Sequence, residues 1–133
     1  MIYDPRTMST PPPPLHELET EVMEEMWRLE RATVRELMEA INARSRKPRA
    51  YTTYMTIMAR LDGKGLLERE REGKTDVYWP RMDREAYLEA RAQAEVQQLV
   101  DNYGDLALVH FARAMRTLDP ARERALRRLA AGE

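Results

Sequence analysis

Between Leu15 and Arg31 the apolar positions Leu18, Val22, Met26 and Leu29 recur at the three- and four-residue spacing of one helix face, which Met23 and Trp27 widen. A second helix is predicted from about Val34 to Arg44, burying Leu37, Met38 and Ile41. The run Arg44-Ser-Arg-Lys-Pro-Arg49 breaks it, because Pro48 disfavours a helical backbone at Lys47. A third helix runs from about Ala50 to Gly63, with Tyr54, Ile57, Met58 and Leu61 at i, i+3, i+4 and i+7. Gly63 and Gly65 end it. The period then changes: Leu66 to Arg71 and Val77 to Trp79 read as short strands around the turn Glu72-Gly-Lys-Thr75.

Helical spacing returns from about Arg84 to Tyr103, where Leu88, Ala92, Val96, Leu99 and Tyr103 share a stripe. It continues from Asp105 to Leu118 with Leu108, Phe111, Ala112 and Met115. Asp119-Pro120, an N-cap acid before an N1 proline, opens a last helix. Residues 1–14, MIYDPRTMSTPPPP, have no periodicity and read as a disordered or polyproline II leader, with translation starting at Met1 or Met8.

The third helix has an unusual polar side. It presents Thr52, Thr53, Thr56 and Arg60 with Ala59 between them, although threonine is a poor helix former. Exposed helix positions ordinarily favour Glu, Lys and Gln. The order helix, helix, basic turn, helix, hairpin is that of a winged helix-turn-helix, whose second motif helix enters the major groove of DNA. There short hydroxyls and methyls suit the groove floor, and Arg60 can reach guanine or a phosphate. Arg44, Arg46, Lys47 and Arg49 precede that helix as candidate phosphate clamps, and Arg71 and Lys74 lie on the wing.

Charge supports this placement more by distribution than by total. The formal net charge is only −1, but residues 15–30 carry six acids against Arg28, whereas residues 31–75 carry eleven bases against six acids. A basic middle beside an acidic start fits a localised polyanion-binding face. Cysteine is absent, which removes disulfides, thiolate metal sites and cysteine nucleophiles, and with them the mechanism of copper-sensing repressors of related architecture. His16 and His110 are too far apart in sequence to suggest a metal site, and the nine methionines are core filler at helical spacing. Scattered acids point to no catalytic cluster, so neither enzyme activity nor a cofactor is expected. No apolar run or signal peptide suggests a membrane, and the expected compartment is the cytoplasm. The rival reading is a winged helix that serves as a protein-interaction module without sequence-specific DNA binding.

LETEVMEEMW, TVRELMEAI, AYTTYMTIMARLDGKGL and VYWP together resemble the penicillinase repressor (BlaI/MecI) family of bacterial transcriptional regulators, over roughly residues 15–115. The string AYTT-x-MT-x-x-x-RL-x-x-KGL is the most specific part. The resemblance implies homodimers on a pseudo-palindromic operator and repression of β-lactamase or related genes. It also implies relief by a membrane sensor-protease or other antirepressor. Recognition falls by this likeness on Thr52, Thr53 and Thr56, with Arg60 beside them, and Lys74 matches the basic wing position. The chain departs from the family in its more basic Arg44–Arg49 turn, in Asp76 where an aromatic is common, and in Trp79 where a polar residue is usual. Its C-terminal helices carry no match to the cleavage site of staphylococcal and bacillary members, and DLALVHFARAM is similar to the actinobacterial branch.

The expected organisation is a mainly α protein: leader 1–14, winged-helix DNA-binding domain 15–80 and helical dimerisation domain 81–133. The stripe Leu88, Ala92, Val96, Leu99 and Tyr103, with Leu108, Phe111 and Met115, lies beyond a core already closed and calls for a second copy of the chain. Two recognition helices would then lie about 34–36 Å apart, or somewhat more, on one operator.

Overall fold

The apolar stripes converge in the computed structural model, which describes residues 10–132. The first unit of the chain ends at Ala92. It contains α1 (Glu17–Leu29), a two-residue strand β1 (Ala32–Thr33), α2 (Val34–Asn42) and α3 (Tyr51–Gly63). Two longer strands follow, β2 (Leu67–Glu72) and β3 (Thr75–Pro80). Val22, Met23, Met26, Leu37, Tyr54, Met58, Leu61, Leu66 and Leu67 are wholly buried in one core, with Leu18, Trp27, Leu29 and Met38 packed at its edge. Each such large side chain contributes about 1.5–3 kcal/mol through burial, so this core holds the three helices and the sheet together.

The sheet is antiparallel in the order β1-β3-β2, with Ala32 opposite Tyr78 and Thr33 opposite Val77. β1 is too short to show an alternation in the sequence, and only its pairing with β3 makes it a strand. Glu72 pairs with Thr75, leaving Gly73-Lys74 as a two-residue hairpin turn. Gly73 has φ +65°, the left-handed backbone that the first position of a type II′ turn requires.

Local chemistry sets the helix ends. Thr33 caps α2: its hydroxyl accepts from the Glu36 amide at 3.1 Å while the Glu36 carboxylate accepts from the Thr33 amide at 2.8 Å. α3 closes in a Schellman motif, Leu66 N–H to Leu61 C=O at 2.9 Å and Gly65 N–H to Asp62 C=O at 3.0 Å, with Gly65 at φ +81°. α1 stops at Leu29, short of the expected Arg31, because Glu30 turns to φ +69° and leads the chain into β1.

Residues 1–9 of the expected leader lie outside the described residues, and residues 10–14 form neither helix nor strand. Pro12 is nonetheless buried. Its carbonyl accepts from Arg91 Nη1 at 3.0 Å, and that of Pro13 accepts from the Tyr87 hydroxyl at 2.9 Å. Tyr87 in turn lies against Trp27, ring centroids 5.5 Å apart, and Trp27 Nε1 donates to the Met82 carbonyl at 3.0 Å. These contacts tie the start of α4 (Arg84–Tyr103) to the first unit.

The second unit begins at Gln93 and holds the rest of α4, then α5 (Asp105–Met115) and α6 (Pro120–Ala130). The Asp119 side chain caps α6 by accepting from the Arg122 amide at 3.0 Å, as Asp-Pro predicts. Neither α5 nor α6 has a buried residue.

Candidate nucleic-acid interface

The predicted recognition helix is positioned from behind and from both ends. Behind it, Tyr54, Ile57, Met58 and Leu61 enter the core. At its start, Asn42 joins the end of α2 to the residue before α3's first turn. The Asn42 amide donates to the Arg49 carbonyl at 2.9 Å, while its oxygen accepts from the Arg49 amide at 3.1 Å and from the buried Tyr54 hydroxyl at 2.7 Å. At its far end, Lys64 donates to Glu19 of α1 at 2.8 Å.

Two buried glutamates of α1 carry this anchoring. Glu25, 2% exposed, accepts from Arg28 Nε at 2.9 Å and from Arg44 Nη2 at 2.7 Å. Those bonds, from Arg28 first and Arg44 second, hold its carboxyl down at about 2 against the upward push of burial. Burial likewise raises Glu19, but the Lys64 hydrogen bond, the His16 amide and the nearby positive charge outweigh it and leave the carboxyl lowered. The acidic start and the basic middle of the sequence are thus partly neutralised against each other inside the fold.

On the surface of α3, Thr52, Thr56 and Arg60 make no side-chain hydrogen bond or ion pair among the described residues. Thr52, Thr56, Ala59 and Arg60 are exposed and Thr53 is half-buried on the flank. Tyr51 and Met55, absent from the sequence-based candidates, are exposed as well, at 40% and 44%. The basic candidates divide. Arg46, Lys47, Arg60 and Lys74 are exposed, and none forms an ion pair among the described residues. Arg44 is committed to Glu25, and Arg49 reaches back to Glu21 at 3.4 Å. On the wing, Asp76 draws Arg71 to 3.7 Å and Arg69 to 3.8 Å, while Lys74 at the tip is a cation without an ion pair among the described residues. Trp79 donates to Glu68 at 3.1 Å and lies under the Arg31 guanidinium at 5.1 Å, while Arg31 also pairs with Glu72. The two wing positions that depart from the family pattern are therefore occupied by internal contacts.

Sequence reasoning missed Asn42, the two buried glutamates and Arg35. The Arg35 guanidinium lies 5.6 Å from the Tyr51 ring centroid. An asparagine just before a proline-bearing turn is a weak turn signal, and nothing in the sequence shows which acids are buried.

The family model of the penicillinase repressor matches residues 15–131. This chain belongs to the penicillinase repressor family. Among its relatives is the transcriptional regulator BlaI of Mycobacterium tuberculosis, 36% identical over 121 residues that span 89% of this chain and 86% of that protein. The solution structure of the DNA-binding domain of the repressor BlaI matches 60% of this chain and 94% of its own length, at 29% identity and a TM-score of 0.50. The mainly α winged helix-turn-helix fold read from the sequence is that of this family.

In this family member the residues expected to make a dimer lie at the surface. Leu88, Val96, Leu99, Tyr103, Leu108 and Phe111 are exposed, as is Ala92, and Met115 is half-buried. Leu88 and Ala92 fall in the first unit, the others in the second. Within the second unit, Leu99, Tyr103, Leu106, His110 and Phe111 line a groove of about 480 Å³. Among the described residues, no group of acids and histidines could hold a metal, and no helix is long and apolar enough to cross a membrane.

Proposed function

We infer that this chain is a DNA-binding transcriptional repressor, acting as a homodimer on a pseudo-palindromic double-stranded operator. Its proposed targets are genes of β-lactam resistance or the cell-wall stress response, with relief by a membrane sensor-protease or other antirepressor. The observation that carries the reading is the division of α3. One side is buried in the core at Tyr54, Met58 and Leu61, and the other presents Thr52, Thr56 and Ala59 to solvent without side-chain partners among the described residues. Small hydroxyl and methyl groups let a helix approach the major-groove floor and contact base edges. Arg46 and Lys47 before the helix and Lys74 on the wing supply phosphate contacts. Arg49 and Arg71 reach phosphates only by giving up Glu21 and Asp76. Residues 15–80 bind DNA and residues 81–133 pair two chains, which covers the apolar surface of Leu99, Tyr103 and Phe111.

Selection of bound duplexes from a random-sequence pool, followed by gel shifts with the selected and a scrambled duplex, tests the reading. A selected sequence with two inverted half-sites, bound far more tightly than the scrambled one at about 0.15 M salt, is expected. Equal binding of the two would leave the protein-interaction reading in its place.

A further inference from the structure

The flank of α3 that faces α2 carries a contact outside the residues assigned so far. Arg35, exposed on the first turn of α2, holds its guanidinium 5.6 Å from the centre of the Tyr51 ring, at the start of α3. Glu39, one turn along α2, is the ordinary i+4 partner for an arginine. Among the described residues Arg35 forms no ion pair with it or with any other acid. The neighbouring Glu36 carboxylate is occupied by the Thr33 amide at 2.8 Å. The ring, rather than a carboxylate, therefore sets where this positive charge sits. An arginine stacked on an aromatic face keeps its N–H donors directed outward and its full charge, and it loses less rotamer freedom when a ligand binds.

We propose that Arg35 is a DNA-backbone contact contributed by α2, and that Tyr51 is the residue that positions it beside the α3 recognition face. Tyr51 begins the helix whose next residue is Thr52, so a guanidinium held on the ring lies at the margin of the groove-facing surface. A phosphate is the matching ligand there: it is anionic, planar bidentate recognition suits guanidinium, and among the described residues no acid is ion-paired with the charge. This inference rests on the repressor reading, and it adds a cation that the basic turn and wing do not contain.

The test uses the full chain and the duplex selected above, with affinity measured by fluorescence anisotropy across a salt series. Arg35→Ala should lower the slope of log K against log salt by about 0.9 for each protomer bound. Tyr51→Phe, which keeps a ring, should bind as the parent does. Tyr51→Leu should weaken binding by about two- to fivefold per protomer, and should have no further effect in the Arg35→Ala background. Both substituted positions are on the surface, and unchanged thermal melts confirm that the variants fold. An Arg35→Ala chain with the parent's affinity and slope overturns the contact. A Tyr51→Leu loss of the same size with and without Arg35 overturns the positioning role. Failure of the parent to prefer any duplex would instead sink the repressor reading itself.

Discussion

Replacing Glu25 by Gln tests whether a buried carboxylate holds α3, the proposed recognition helix, in place. Glu25 is 2% exposed and joins α1 to Arg44, the first residue of the basic turn before α3. Its carboxyl sits at about 2 in the folded chain against an ordinary 4.5, a difference worth about 3 kcal/mol in favour of the charged folded form. Arg28 and Arg44 are themselves more than half exposed, so on losing the charge they return to water rather than remain buried and unpaired. Solvent screening around them brings the expected loss for Glu25→Gln to about 2 kcal/mol at neutral pH. Urea denaturation followed by circular dichroism measures it. The pH dependence gives a second readout. Because the folded-state value is depressed, the unfolded chain takes up the proton first as acid is added. The stabilisation is complete above about pH 4.5 and is lost as pH falls toward 2. Glu19, also lowered, adds a loss of the same sign. The parent should therefore lose stability steeply over that window, and Glu25→Gln less steeply. A variant as stable as the parent at pH 7, with the same acid limb, would refute the anchoring role.

Thr56→Glu places a bulky anion on the exposed face of α3 and should cost about 100-fold or more in operator affinity, with an unchanged melt; gel shifts alongside calorimetry check both. Lys47→Ala should weaken operator and scrambled DNA alike and lower the salt slope by about 0.9 per protomer, measured by anisotropy. Asn42→Ala removes three hydrogen bonds and leaves the buried Tyr54 hydroxyl unpaired, so urea melts should show a loss of about 2–3 kcal/mol. Leu99→Asp, at an exposed position of the α4 stripe, should sediment as a monomer and bind the full operator about 10²–10⁴-fold more weakly while keeping half-site binding; a variant that stays dimeric would contradict the assignment of that stripe.

Periodicity alone located the core of the first unit, because a helix that buries one face must repeat apolar side chains every three or four residues. Val22, Met26, Leu37, Ile41, Tyr54 and Met58 were all legible this way, and all are buried. The threonine face of α3 was legible for the same reason: once one side is buried, the other is exposed. Turn chemistry at Gly73 and Asp119-Pro120 was local enough to read directly. What depended on tertiary structure was every choice among residues of like charge. The turn Arg44–Arg49 reads as uniformly basic, yet folding brings Glu25 and Glu21 of α1 against Arg44 and Arg49 and leaves Arg46 and Lys47 open. The same holds for β1, a strand only because Tyr78 and Val77 lie beside it, and for Pro12 and Pro13, whose carbonyls meet Arg91 and Tyr87. A linear pattern records which face of an element is apolar, since that is a property of neighbours in sequence. Which acid neutralises which base is settled between residues far apart along the chain, and so it is decided only when the helices pack.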